Sequence, residues 1–265
     1  METVTSKDGS RIAYDRIGEG PKVILVAGAL GSRDFKQMSQ LAELLAERCT
    51  VINYDRRGRG DSTEVKPFSI EREVEDLAAV IEAEGGSASL WGWSSGGALA
   101  LRASAAGIGV ERLSVYEVPF IVTESERPTR DYGERLDALV AADDRSGAVK
   151  HFMRNAIGIP APFVAAMRLT PMWKRMKATA HTLPYDWAAL GAEHMYGAPL
   201  QAGEWAGVKA QTLVVCGEKS PELLRAGSQA LAEALPNAEL RELAGVSHNV
   251  KMNVLAPVLA EFFAD

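Results

Sequence analysis

The chain of 265 residues has only two cysteines, Cys49 and Cys216, far apart and each in or beside an apolar run. That excludes a disulfide framework and fits a reduced compartment, with both thiols expected as small core side chains. Long hydrophobic runs are missing as well: none approaches the roughly 20 residues that span a bilayer. The start METVTSKDGS has neither a basic region nor an apolar core of a secretory leader, so a soluble, cytoplasmic protein with no membrane partner is expected. Positive charge is scarce. Twenty-nine Lys and Arg face 35 Asp and Glu, and the net charge of −6 reads as mild acidity spread along the chain. Phosphate backbones are held by basic faces, so nucleic acid is not an expected partner. The one basic spot, Arg56, Arg57 and Arg59, lies between Asp55 and Asp61. No internal repeat or low-complexity segment is present.

What is present is enough apolar residue, 47%, to build a large core, which argues against disorder. Short β-branched or apolar runs alternate with helical stretches, as in a mostly parallel sheet covered by helices. Strands are predicted at Thr3–Ser6, Ile12–Ile17, Val23–Val26, Val51–Tyr54, Ser87–Trp93, Leu113–Glu117, Thr212–Cys216 and Glu239–Leu243. The first two flank Asp8-Gly9, a hairpin signal that places an antiparallel pair at a sheet edge. Helices are predicted at Ser39–Arg48, at Ile70–Glu84 with Ser69 as its cap, at Gly96–Ala106, at Pro221–Leu235 and from about Val250 to Phe263. Between Pro119 and Val208 no strand is visible, only helical pieces at Tyr132–Ala142, Ser146–Ala156, Pro162–Leu169 and Pro171–Ala180, broken by prolines 160, 162, 171 and 184. The expected organisation is one core from two segments, 1–118 and 209–265, interrupted by a helical lid over 119–208.

Gly92-Trp93-Ser94-Ser95-Gly96 matches G-x-S-x-G between a predicted strand and a predicted helix. A serine on such a turn sits in a strained conformation, and the glycines two before and two after let neighbouring backbone pass without Cβ clashes. Ser94 is therefore the candidate nucleophile. Ser95 is a poorer one, since Trp93 would occupy its −2 position. A serine hydroxyl needs a base, and His248 follows a predicted strand in a glycine-containing loop. His151, His181 and His194 fall in the helical insertion, where solvated or lid-lining roles are expected.

These elements resemble the α/β-hydrolase superfamily over nearly the whole chain. Val26-Ala27-Gly28-Ala29-Leu30-Gly31 stands where the family has an H-G-x-x-G loop, and Asn53–Ser62 is similar to its loop after the next strand. The elbow at Ser94, the late His248 and an insertion after the sixth strand complete the likeness. The resemblance implies an α/β-hydrolase fold with an eight-stranded, mostly parallel sheet. It also implies an oxyanion hole from main-chain N–H groups, here those of Ala29 and Ser95, despite Ala27 in place of the family's histidine. An epoxide hydrolase or dehalogenase is disfavoured, because those relatives use aspartate at the elbow. A dinucleotide binder is disfavoured too, because residues 26–31 offer two glycines at the wrong offset.

The triad acid departs from the pattern. The family commonly has aspartate where this chain has Ser220, which cannot stabilise an imidazolium and reads as the cap of a helix with Pro221 first. Glu117, at the end of the strand after the elbow, is the better source, a position some α/β-hydrolases use; Glu218 is the alternative, and a site without an acid the third. The insertion is rich in Met and aromatic residues, so a medium-sized apolar or aromatic substrate is expected, with Trp93, Leu30, Phe120, Trp173 and Trp187 as candidate pocket residues. Arg127, Arg130, Arg168, Lys174, Arg175 and Lys177 are expected to face solvent. Together these features point to a serine hydrolase of an ester, thioester or lactone, acting on a small molecule without metal or organic cofactor, as monomer or homodimer. The alternative is non-hydrolytic chemistry on the same fold, such as cyclisation, C–C cleavage or lyase chemistry, or a ligand-binding protein with a residual triad.

Overall fold

The computed structural model describes residues 1–125, 128–201 and 203–264, so the expectation for Arg127 lies outside the described residues. Eight strands form one sheet: β1 (Glu2–Thr5), β2 (Arg11–Ile17), β3 (Lys22–Val26), β4 (Thr50–Tyr54), β5 (Ala88–Trp93), β6 (Val110–Tyr116), β7 (Gln211–Gly217) and β8 (Ala238–Leu243). Their spatial order is β1-β2-β4-β3-β5-β6-β7-β8. β1 pairs with β2 and β2 with β4 antiparallel, and all other pairs are parallel. The parallel strands β4 and β5 are buried at every residue, which is why they read as unbroken apolar runs without alternation.

Helices cover both faces. α1 (Lys36–Leu45) and α10 (Met252–Ala264) pack on one face through Met38, Leu41, Leu255 and Leu259, against Val23, Leu25, Val51 and Trp91. α2 (Ile70–Ala83), α3 (Ser95–Ala105) and α9 (Glu222–Ala234) close the other, where Leu77, Leu99 and Leu231 meet Ile24, Ile52, Leu90 and Val115. At about 25 cal/mol per Å² of apolar surface, each fully buried leucine or isoleucine stabilises by about 2 kcal/mol before entropy is counted. β5, central and flanked by β3 and β6, turns directly into α3, so the elbow between them rests on the best-buried part of the molecule. Cys49 and Cys216 are buried and unpaired.

Between β6 and β7 the described residues form α4 (Tyr132–Ala141), α5 (Arg145–His151) running into a π-helical turn (Phe152–Ala156), α6 (Ala161–Met167), α7 (Pro171–Thr179) and α8 (Leu183–Leu190). Tyr132, Val149, Met153, Trp173 and Met176 build a separate small core there, against which Ala29 and Leu30 pack. No described helix is long and apolar enough to cross a membrane.

Several local expectations need correction. α1 begins three residues before Ser39. Ser69 occupies the N-cap of α2 but makes no capping bond to the backbone. Ser220 does not cap α9: the helix starts at Glu222 with Pro221 at the N-cap, and Ser220 is buried. α8 was not foreseen, because Pro184 reads as a breaker. It lies in the first turn of α8, where the missing N–H costs no hydrogen bond.

Candidate active site

The elbow is tight. A Cβ on Gly92 would stand 2.4 Å from the Gly97 Cα, and one on Gly96 2.3 Å from the Val26 carbonyl oxygen, closer than any side chain permits. Ser94 occupies the N-cap of α3 with φ 55° and ψ −126°, a region that costs an L-residue of order 1–3 kcal/mol. Only four described non-glycine residues have positive φ, and three of them, Leu30 (61°), Ser94 and Glu117 (47°), belong to the predicted site. Strain gathered in this way marks where packing over-determines the backbone.

Glu117 follows β6 directly and is fully buried. Its Oε1 accepts from the Gly217 N–H at 2.7 Å, and its Oε2 lies 2.6 Å from His248 Nδ1. A carboxylate oxygen accepts, so Nδ1 is the ring nitrogen that carries the proton in this contact. The half-buried His248 ring lies between two others, with centroids 6.3 Å from Trp93 and 6.3 Å from Tyr116. The Tyr116 hydroxyl donates to the Ser247 carbonyl at 2.8 Å, fixing the loop that bears the histidine. Glu218, by contrast, is exposed, and its Oε2 accepts from the Gly245 N–H at 2.6 Å.

Ser94 and His248 line one cavity of about 980 Å³, with Ala29, Leu30 and Trp93 also on its walls. Five of the chain's eight methionines line it, namely Met38, Met153, Met167, Met172 and Met176. Ser95 is the first residue of α3, so its N–H has no partner within the helix and is free for a ligand. Three expected pocket residues lie elsewhere. Phe120 is fully buried against His194 and Trp205. Trp173 sits in the small core with its indole N–H directed to Ser146 Oγ. Trp187 packs on Tyr132 and Tyr196. These three aromatic residues thus serve packing, whereas Phe152 of the insertion lines the cavity, whose wall joins methionine and aliphatic side chains with the charged Arg33, Asp34, Asp55, Asp61 and Arg175. His151 and His194, expected as solvated or lid-lining, are buried, the first stacked on Tyr132 and the second 2.7 Å from Glu204.

Sequence reasoning missed a charge network behind the site. Arg56 is bound in bidentate fashion by Glu73 at 2.8 and 2.6 Å, and it donates to Asp186 Oδ1 at 2.6 Å and to the Ala27 carbonyl at 3.2 Å. Arg59 donates to Asp186 Oδ2 at 2.8 Å and to the carbonyls of Gly28 at 2.7 Å and Gly31 at 3.1 Å. The Ser95 hydroxyl also donates to Asp186, at 2.9 Å. Asp186, on α8, thereby ties the loop 27–31 to the residue after the nucleophile. Burial alone would push its carboxyl up, but the guanidiniums of Arg59 and Arg56 outweigh that and hold it below the usual range. The arginine-rich stretch between Asp55 and Asp61 was the visible signal; the partner on α8 lies 130 residues from Arg56.

The chain is similar to known proteins. The alpha/beta hydrolase family model matches residues 23–259. An alpha/beta hydrolase from Sphaerobacter thermophilus of known structure is 46% identical, with a TM-score of 0.90 over 99% of this chain and 100% of that one. The polyketide synthase ThaQ of Burkholderia thailandensis is 28% identical over 91% of this chain. The mouse serine hydrolase BPHL is 35% identical over 37% of the chain. The chain spans 12% of the length of the first of these two relatives and 36% of the second.

Proposed function

The chain belongs to the alpha/beta hydrolase family, and from that premise we propose that it is a serine hydrolase cleaving esters, thioesters or lactones of medium-sized apolar substrates. The observation that carries this is the 2.6 Å contact between His248 and the buried Glu117, set in the same cavity wall as the strained Ser94. Ser94 Oγ attacks the carbonyl carbon while His248 Nε2 takes its proton. Glu117 holds the ring through Nδ1–H and stabilises the imidazolium as it forms. The Gly217 N–H fixes the carboxylate in turn.

Charge that develops on the carbonyl oxygen is met by the N–H groups of Ala29 and Ser95. Donors fixed before the reaction are each worth about 3 kcal/mol of barrier. Arg56 and Arg59 hold the carbonyls of Ala27, Gly28 and Gly31, which restrains the loop that carries the Ala29 amide. His248 then returns its proton to the leaving group, and water, activated by the same histidine, releases the acyl group from Ser94. The helices of residues 119–208 act as a lid over the cavity, between the core segments 1–118 and 209–265. Methionine walls adapt to varied apolar acyl chains. The mouse relative's description as a serine hydrolase supports the reading.

A fluorophosphonate probe tests it, followed by p-nitrophenyl esters of graded acyl length. Labelling at Ser94, lost in Ser94→Ala and His248→Ala, together with turnover of the esters, is the expected result. A folded protein that neither labels nor turns over any ester would sink the proposal.

A further inference from the structure

Charge is not evenly spread, as the composition had suggested. From Arg145 to Tyr185 the chain has seven Lys and Arg and no Asp or Glu, while the remainder holds 22 cations against all 35 acids. That stretch runs from the start of α5 through α7 into the first turn of α8. Lys150, Arg154, Arg168, Lys174 and Arg175 are exposed. Among the described residues only Arg145 of the seven has an ion pair, to the exposed Asp143. Elsewhere Arg56, Arg57 and Arg59 are all buried in paired networks; what sets this stretch apart is seven cations with no acid among them.

The same stretch breaks the rule for apolar side chains. Four of the eight exposed large hydrophobic residues fall within it: Ile157, Phe163, Leu169 and Met172, with Phe163 65% and Leu169 90% exposed. Phe163 lies within the short α6 and Leu169 two residues past its end, while Val164 of α6 packs in the small core. Ile157 and Met172 are exposed and also line the cavity, so the mouth opens on this face.

We infer that α5, α6 and α7 dock the protein onto an anionic lipid surface, with Phe163 and Leu169 entering the apolar layer and the flanking lysines and arginines over the headgroups. Apolar tips beside unpaired cations are the composition of a surface-lying, non-spanning membrane contact. The earlier expectation of no membrane partner rested on the lack of a span and did not address a protein that lies on the surface. A second copy of this chain is a poor occupant, since the cations would face their like. A folded acidic protein would need a pocket matched to the protruding Leu169, whereas fluid lipid takes it without one. Docked in this way, the cavity mouth faces the phase in which apolar esters concentrate.

Co-sedimentation of the full chain with vesicles is the test, using phosphatidylcholine alone and phosphatidylcholine mixed with phosphatidylglycerol. Binding to the anionic vesicles alone, weakening as salt rises, is expected. Changing Lys150, Arg154, Arg168 and Lys174 to Gln should weaken binding by about fivefold per charge, and Phe163→Ser with Leu169→Ser by about tenfold or more. None of these six lines the cavity, so turnover of a soluble p-nitrophenyl ester should stay at the wild-type rate. The inference is overturned by failure to bind anionic vesicles at low salt, by equal binding to neutral ones, or by either variant binding unchanged. Retention on polyglutamate without vesicle binding also overturns it and assigns the face to an acidic protein. Vesicle binding is read without turnover, so its failure leaves the serine hydrolase proposal standing.

Discussion

β6 and β7 lie side by side in the sheet, and each runs into a loop that carries a glutamate near its start. The two loops use it in opposite ways. After β6 the backbone enters the left-handed region at Glu117 and buries the carboxylate between His248 and the Gly217 N–H. After β7, Glu218 points to solvent and accepts from Gly245, while Ser220 is buried. The difference shows that the histidine's partner need not come from one loop: adjacent parallel strands end at the same edge of the sheet, and either can reach the same ring. What the change of strand costs is backbone strain, of order 1–3 kcal/mol at Glu117, which the flanking β5 and β7 hold in place.

Substitutions separate the roles of the two loops. Ser94→Ala sets the scale and should lower kcat by about a millionfold, measured with the best p-nitrophenyl ester. Glu117→Gln should lower kcat/KM by about ten-thousandfold with the fold retained by circular dichroism, since the amide cannot stabilise an imidazolium. Asp186→Asn leaves both strand ends intact but unpairs Arg56 and Arg59. A loss of about 3 kcal/mol of stability is expected in urea unfolding, with slower turnover through the loop 27–31. The pH dependence has a definite sign. Asp186 titrates below its unfolded value, so its contribution is present above about pH 4 and fades as pH falls through the folded value; the wild type and Asp186→Asn should converge in Tm in acid.

Smaller effects complete the series. Tyr116→Phe removes the bond to the Ser247 carbonyl at the β6 end and should cost about 1 kcal/mol of stability and up to about fivefold in kcat/KM. Glu218→Gln should change stability by no more than about 0.5 kcal/mol and turnover by no more than about twofold. A larger effect at Glu218 than at Glu117 would reverse the assignment of the two loops.

Much of this architecture was readable from residues alone. The eight strands show as short apolar runs, and Gly92-Trp93-Ser94-Ser95-Gly96 at a strand-to-helix junction picks out the elbow because sterics leave few alternatives there. Ser220 pointed to Glu117 by its own unfitness. Other features resist such reading for physical reasons. The bond between Ser95 and Asp186 joins residues 91 apart, and no periodicity records a tertiary partner. Leu30 carries a positive φ without being Gly or Asn, so no residue type announces it. Pro184 hid α8 because a proline is compatible with a helix start as well as a helix end. Trp173 and Trp187 were placed at the pocket because hydrophobicity does not distinguish a cavity wall from a packed helix interface. The cationic stretch 145–185 was visible, but a net charge averaged over the chain conceals it.

In the proposed mechanism Glu117, acting through His248, activates Ser94. The rate of Ser94 labelling by a fluorophosphonate, compared between Glu117→Gln and Glu218→Gln under one set of conditions, tests it without knowledge of the natural substrate. Labelling slowed by orders of magnitude in Glu117→Gln and unchanged in Glu218→Gln is expected. Wild-type labelling in a folded Glu117→Gln protein would contradict it.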